Sequence, residues 1–204
     1  MMMLKPLLRL TMVFSLAGLI CAPVAKAADS NGQFAIRGGG RINCEQFVKA
    51  RDEKNQQLLS LVAGWIDGYL TATNQHTGST YAVAPWASTN LLGTLLYHNC
   101  KNHPDANFYV AVNAMVQKLQ EHGMSESSPI VKVERDGKTA HVYREILRRV
   151  QVALSERSLY KGPASGEYSD ELANAIRDYQ RSVNQAETGL PDQRVLWELL
   201  RPIE

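Results

Sequence analysis

Three residues of this sequence come close to the spacing of a metal site. His98, Cys100 and His103 lie on one short stretch and carry imidazole and thiol groups, which are common Zn²⁺ ligands. A cysteine that is oxidised to a disulfide cannot supply a thiolate, so this motif requires a free Cys100. The other histidines fall on separate predicted turns and helix ends. We therefore predict no metal site and no other cofactor.

Asp67 is the carboxylate best placed to act as an acid catalyst, because it lies beside Trp65 in an apolar helical stripe. A buried carboxylate needs a hydrogen-bond partner, which favours a structural role for Asp67. Hydrolysis requires metal ligands, a nucleophile with its base, or paired carboxylates. The sequence assembles none of these sets, so we expect no catalytic residues and no enzymatic activity.

Residues 1–27 have the pattern of an export signal. Lys5 and Arg9 give a positive start, residues 10–24 are apolar, and Ala25-Lys26-Ala27 fits the small-x-small cleavage rule. The apolar run is too short and too interrupted for a good membrane span. We predict cleavage before Ala28, export to the periplasm, and no stable membrane span after cleavage.

Removal of this signal leaves Cys44 and Cys100 as the remaining cysteines. In an oxidising compartment, an even pair of cysteines most often forms a disulfide. The chain-entropy model assigns about 4 kcal/mol of stabilisation to a loop of this length. Two separate buried thiols are the alternative interpretation.

The charge balance argues against a nucleic-acid partner. The whole chain has 22 basic and 20 acidic residues, and the predicted signal contains three of the basic ones. The rest of the chain is therefore close to neutral, and neither of its halves has a basic excess. Binding to a phosphate backbone requires such an excess, so nucleic acid is excluded as an expected partner.

The composition divides the exported chain into a leader, two helical domains and a linker. Residues 28–42 are polar and glycine-rich, which predicts a flexible leader. Residues 43–123 and 143–204 have helical apolar periodicity, and residues 124–142 form the linker between them. Within that linker, an alternating segment reaches Asp136-Gly137, which indicates either a short hairpin or an extended connector without a strand partner. The predicted fold class is all-α.

Capping residues place the helices of the first domain. Asn43 is a suitable N-cap, Pro85 suits the first turn of a later helix, and Asp105 is expected to open the next one. Between them runs the strongest helical stripe, which we expect to end near Thr73. Its apolar residues are Leu58, Leu61, Val62, Trp65, Ile66, Tyr69 and Leu70.

The second domain is predicted to contain three helices. Leu147, Val150 and Leu154 recur at helical spacing, and the first helix must end before Pro163. Ser169 is the expected N-cap of the second helix and Asp192 that of the third. A domain this small is compatible with a binding module and hard to reconcile with a deep catalytic pocket.

The order of motifs in this domain resembles the peptidoglycan-binding family found at the ends of bacterial wall hydrolases. The resemblance rests on Val150-Gln151, Leu159-Tyr160-Lys161-Gly162, Gly166, residues 175–180, residues 188–192 and residues 196–200. It implies a partner in the peptide stem or the glycan of peptidoglycan. The residues that match the family's binding groove are Tyr160, Gly162, Gly166, Tyr168, Arg177, Tyr179 and Gln180.

These residues admit both binding and structural roles. Tyrosines offer a flat apolar face with a polar tip, and Arg177 could pair with a carboxylate of the peptide stem in bidentate fashion. Tyr179 also fits a core position, and the glycines also fit backbone geometry. The sequence departs from the family at Ala164-Ser165, where an apolar residue and an aspartate are usual. This departure removes a carboxylate from the binding loop.

The first domain resembles the small disulfide-clipped periplasmic helical proteins of the HdeA type. The matching residues are Cys44, the segment from Trp65 through Asp67 and Gly68 to Tyr69, Cys100, Asn102 and Pro104. This group includes acid-stress chaperones and immunity proteins that block toxic wall amidases. The resemblance implies a candidate interaction face at Trp65, Asp67 and Tyr69. An unrelated helical bundle with one disulfide is the alternative.

Taken together, the sequence predicts an exported protein without enzymatic activity. Its C-terminal domain is expected to bind peptidoglycan, and its helical domain is expected to bind another periplasmic protein, as an inhibitor or immunity protein does. Two alternatives remain open at this point: a periplasmic acid-stress chaperone, and an accessory or unrecognised wall-modifying enzyme.

Overall fold

The structure is a computed structural model that describes residues 28–201. The predicted export signal, residues 1–27, lies outside the described residues. The elements follow in this order: a 3-10 helix at Gly38–Arg41, α1 at Cys44–Asp52, α2 at Gln56–His76, α3 at Thr89–Asn102, α4 at Phe108–Gln120, β1 at Ile130–Arg135, β2 at Lys138–Tyr143, α5 at Arg144–Glu156, α6 at Asp170–Ser182 and α7 at Gln193–Leu200. None of the described helices is long and apolar enough to cross a bilayer.

The fold class is mostly helical, as predicted, but a two-stranded sheet means that the protein is not strictly all-α. Strands β1 and β2 pair antiparallel, with Val133 opposite Ala140 and Arg135 opposite Lys138. Asp136 and Gly137 make the turn with φ of 49° and 72°, a backbone region that suits this Asp-Gly pair. The alternation predicted either a hairpin or a lone connector, and the hairpin is confirmed. Val133 and Val142 are buried, so one face of the hairpin contributes to the core.

Side-chain caps fix where the helices begin. Asn43 and Gln46 form a reciprocal capping box at the start of α1, which confirms the predicted cap. Helix α2 continues to His76, beyond its expected end. Helices α3 and α4 begin later than predicted, because Ser88 and Asn107 accept the bonds of their first-turn N–H groups. Pro85 and Asp105 therefore lie in the loops before these helices.

The predicted disulfide is present. Cys44 at the start of α1 is bonded to Cys100 near the end of α3, and their Cα atoms are 4.8 Å apart. Both cysteines are fully buried in the core that α1 to α4 share. The bond therefore holds the first helix against the third.

The glycine-rich segment before α1 is ordered where it meets α2. Gly38–Arg41 forms the 3-10 helix, with Gly39 and Gly40 buried. A Cβ atom on Gly40 would overlap the indole ring of Trp65, so only glycine allows this close approach. Trp65 therefore provides the surface on which this part of the leader packs.

The described chain from Ile36 onwards forms one compact unit, in which the two predicted domains are in contact. The guanidinium group of Arg149 on α5 donates to the carbonyl oxygens of His122 and Gly123, at 2.7 and 2.9 Å. Trp86 packs on Trp197 of α7 with ring centroids 6.0 Å apart. Residues 28–35 belong to a separate unit, where Asp29 accepts backbone hydrogen bonds in a local turn.

Candidate functional site

A buried glutamine positions the loop between α5 and α6. Gln151 of α5 is fully buried; its Oε1 accepts from the N–H of Gly166 at 2.7 Å, and its Nε2 donates to the carbonyl of Glu167 at 3.0 Å. Gly166 has φ of 74°, and a Cβ there would lie 2.6 Å from the carbonyl oxygen of Arg144. The loop can therefore approach α5 only through glycine and is held there by one amide side chain.

A second buried glutamine holds the loop between α6 and α7 in the same way. Gln180 accepts from the N–H of Gly189 at 2.8 Å and donates to the hydroxyl of Thr188 at 2.9 Å. Gly189 has φ of 68° and is buried beneath the side chain of Arg177. The resemblance assigns Gln180 to the binding groove, but in the structure this side chain holds the backbone of a loop.

Three further residues that the resemblance assigns to the groove lie in the interior of the C-terminal module, α5 to α7, or hold its backbone. Tyr160 is buried, and its hydroxyl donates to the carbonyl of Pro163 at 3.2 Å. A Cβ on Gly162 would overlap that hydroxyl, so this glycine allows the loop to close over Tyr160. Tyr179 is also buried, and burial raises the pKa of its phenol. These residues shape the module from inside.

Tyr168 and Arg177 are the assigned residues whose side chains are only partly buried. The hydroxyl of Tyr168 donates to the carbonyl of Gly189 at 2.7 Å, which joins the loop before α6 to the loop after it. Arg177 of α6 lies beside the same glycine and forms an ion pair with Asp136 at 3.2 Å. The structure therefore brings an aromatic ring and a guanidinium group together at one accessible place.

The departure at Ala164-Ser165 leaves the loop hydrogen-bonded. The hydroxyl of Ser165 accepts from the backbone N–H of Glu167 at 3.2 Å. Serine forms such local turns with its hydroxyl, as aspartate does with its carboxylate. The geometry of the loop is therefore supported by Ser165, and only the negative charge of the usual aspartate is lost.

Sequence analysis assigned no role to Gln151 and did not single out Arg135. Gln151 belongs to the motif that carries the family resemblance, and its role had a signal, because an amide within the apolar stripe of α5 must find partners once it is buried. Arg135 carried none, because its role depends on where the hairpin docks. Arg135 at the end of β1 pairs with Asp170 at 3.0 Å, next to the accessible pair of Tyr168 and Arg177.

The candidate interaction face on α2 is divided in the structure. Trp65 and Tyr69 stack with centroids 5.5 Å apart, and the hydroxyl of Tyr69 donates to Asn113 at 2.7 Å. Burial is the main cause that raises the pKa of Tyr69 to about 12. Asp67 is exposed and accepts from the hydroxyl of Thr89 at 2.6 Å. The two aromatic residues therefore share a half-buried cluster that does not include Asp67.

The metal motif is not assembled. Cys100 is bonded to Cys44, and residues 28–201 contain no group of three metal-ligating side chains arranged to hold an ion.

Comparison with known families assigns the C-terminal region. Residues 144–199 match the family model described as a putative peptidoglycan binding domain. The match spans α5 to α7 with their connecting loops, and it leaves α1 to α4 and the hairpin outside. No curated protein and no solved structure matches the chain. The match supports a peptidoglycan-binding-like domain in the C-terminal region, and the HdeA-type resemblance of the helical region, α1 to α4, stays a prediction.

Proposed function

We propose that this protein is exported to the periplasm, where it binds peptidoglycan through residues 144–199 and presents α1 to α4 to another protein. The family match to a putative peptidoglycan binding domain carries this proposal. The export pattern of residues 1–27 supports it, because peptidoglycan lies outside the cytoplasmic membrane. The buried disulfide also supports it, because such bonds persist in oxidising compartments.

The geometry of the module supports a binding role for its surface. Its two loops are held from inside by Gln151 and Gln180, so Tyr168 and Arg177 are presented on a rigid base. A ring beside a guanidinium group suits a ligand that carries apolar groups and carboxylates, as a wall peptide does. The role that we assign to this module is binding without catalysis.

The exposed side of α2 supports a protein partner for the helical region. Leu61 and Asp67 are exposed there, and Gly64 and Gly68 have open space where a Cβ would stand. Two glycines four positions apart allow a second helix to approach closely. The helical region would then perform the specific task, while the module keeps it at the wall.

Sedimentation with purified sacculi tests the wall-binding part of the proposal. The chain of residues 28–204 is expected to sediment with sacculi and to be released by soluble muropeptides. An Arg177→Gln variant should sediment less, whereas Arg181→Gln should behave as the parent chain. Arg181 is the matched control because it lies one turn along α6, is exposed, and pairs with Asp178 and Glu187. Failure of the parent chain to sediment would overturn the proposal.

A further inference from the structure

Arg135 brings a second guanidinium group to the accessible part of the module, from outside the matched residues. It ends strand β1, and its Nη1 lies 3.0 Å from Oδ1 of Asp170 at the start of α6. It also lies against Tyr168: burial raises the pKa of that phenol, and the hydrogen bond and the positive charge of Arg135 oppose the rise. The hairpin therefore adds a positive charge to this surface, and the residue that carries it lies outside the family match.

Arg177 approaches the same tyrosine from α6. Its side chain passes over Gly189, whose carbonyl accepts the hydroxyl of Tyr168. Its positive charge likewise lowers the pKa of that phenol against the effect of burial. Two guanidinium groups therefore lie near the hydroxyl of one tyrosine, although Arg135 and Arg177 come from different elements.

The two arginines and their acidic partners differ in burial. The side chains of Arg135 and Arg177 are 20% and 29% exposed, whereas those of Asp136 and Asp170 are 74% and 93% exposed. Both arginine side chains are therefore largely buried, while the carboxylates stand in solvent. Exposed ion pairs contribute little free energy, so a carboxylate from a ligand can replace either aspartate.

Arg135 also has unused hydrogen-bonding capacity. Its Nε is buried and meets no acceptor among the described residues. A charged group with an unmatched donor remains incompletely compensated after burial. Additional negative charge near Arg135 is therefore favourable.

We propose that Arg135, Arg177 and Tyr168 form a site for carboxylates of the wall peptide, which Asp136 and Asp170 occupy when no ligand is bound. Arginine presents a planar fork that matches a carboxylate, and two forks on fixed elements select a peptide with more than one such group. The tyrosine ring offers an apolar face to the backbone between them. This inference rests on the proposed wall binding and names the part of the wall that is recognised.

The test compares variants of the chain of residues 28–204 in binding to sacculi. Arg135→Gln is expected to weaken binding about tenfold, since a hydrogen-bonded charge is lost, and Arg135→Lys should restore part of it. Asp136→Asn is expected to strengthen binding about two- to threefold, because it frees Arg177. Arg181→Gln is the control and should bind unchanged. A stem tetrapeptide with free carboxylates should compete, and the same peptide with amidated carboxylates should not.

The arginine and aspartate variants are expected to change binding in opposite directions, and this difference separates ligand binding from a purely structural role. If these ion pairs only attach the hairpin, removal of either partner loosens it, and the arginine and aspartate variants both bind more weakly. Thermal unfolding of each variant monitors that loss directly. Unchanged binding by Arg135→Gln, weaker binding by Asp136→Asn, or equal competition by the amidated peptide would overturn the inference while wall binding stands. No sedimentation of the parent chain would overturn both.

Discussion

The side chain of Gln193 on α7 donates a hydrogen bond of 2.8 Å to the carbonyl oxygen of Trp86, which precedes it by 107 positions. Its oxygen accepts from the N–H of Ser88 at 2.6 Å, directly before α3. One amide therefore satisfies two backbone groups of the helical region from within the peptidoglycan-binding-like domain. Beside it, Trp86 packs on Trp197. The C-terminal region, α5 to α7, is thus attached to the helical region, α1 to α4, by specific contacts.

Gln193→Ala is expected to lower the free energy of unfolding by about 1 to 2 kcal/mol, because it leaves the two backbone groups without their partner. Urea unfolding of the chain of residues 28–204 measures the change. Arg194→Ala is the matched control, since this neighbouring side chain is exposed and should have little effect. An equal stability of the Gln193 variant and the parent chain would show that the junction is not held by this amide.

Gln151→Leu tests the buried amide beneath the loop of Gly166. The substitution introduces an apolar side chain of similar size and leaves the N–H of Gly166 and the carbonyl of Glu167 unsatisfied, so it should cost about 2 to 3 kcal/mol. Gln185→Leu is the control, because the Nε2 of Gln185 is buried without an acceptor among the described residues, and its loss should cost little. Faster hydrogen exchange at Gly166 in the first variant would locate the effect. Equal costs in both variants would contradict this account.

The local elements of this protein could be predicted from sequence, because their causes are local. Ser169 and Asp192 cap α6 and α7 as expected, and Asp136-Gly137 makes the predicted turn. Helices α3 and α4 begin later than the sequence predicts, because Pro85 and Asp105 are also favourable first-turn residues. Propensity alone does not decide between such neighbours, since the choice depends on which side chain reaches the free N–H groups.

The candidate site could be predicted only in part, because its accessible half depends on tertiary packing. The family pattern indicated Tyr168 and Arg177. It gave no indication that Asp136, 41 positions before Arg177, would reach that arginine. Periodicity defines which face of a hairpin is apolar, but it does not define where the hairpin docks. Arg135 was missed for that reason.

Alanine at Gly64 or Gly68 should stabilise the protein. Both glycines lie inside α2, and an added Cβ would meet nothing within 4 Å. Glycine within a helix costs up to about 1 kcal/mol relative to alanine, so each substitution should raise the free energy of unfolding by up to that amount. Gly40→Ala is the contrasting variant and should be destabilising, because its Cβ would overlap the ring of Trp65. Thermal unfolding distinguishes these outcomes, and destabilisation by Gly64→Ala would contradict the open space seen around α2.

Acid should weaken the junction between the two regions through Glu145. Its carboxylate accepts from Arg148 at 2.7 and 2.8 Å and from Arg149 at 3.1 Å. The bond from Arg148 is the largest cause that lowers the pKa of Glu145. Because the folded pKa lies below the unfolded value of about 4.3, this contribution to stability is present above that pH and is lost as pH falls through the folded value.

The loss of stability at low pH should extend to the helical region, because Arg149 also donates to the carbonyls of His122 and Gly123. Protonation of Glu145 removes the negative charge that orients this guanidinium group. Urea unfolding between pH 5 and pH 2 should therefore show a fall in stability that is smaller in Glu145→Gln, whose stability at pH 7 is already reduced. Glu171→Gln is the control, since Glu171 is exposed on α6. If the free energy of unfolding falls equally with pH in the parent chain and in Glu145→Gln, this carboxylate does not make the stability of the junction depend on pH.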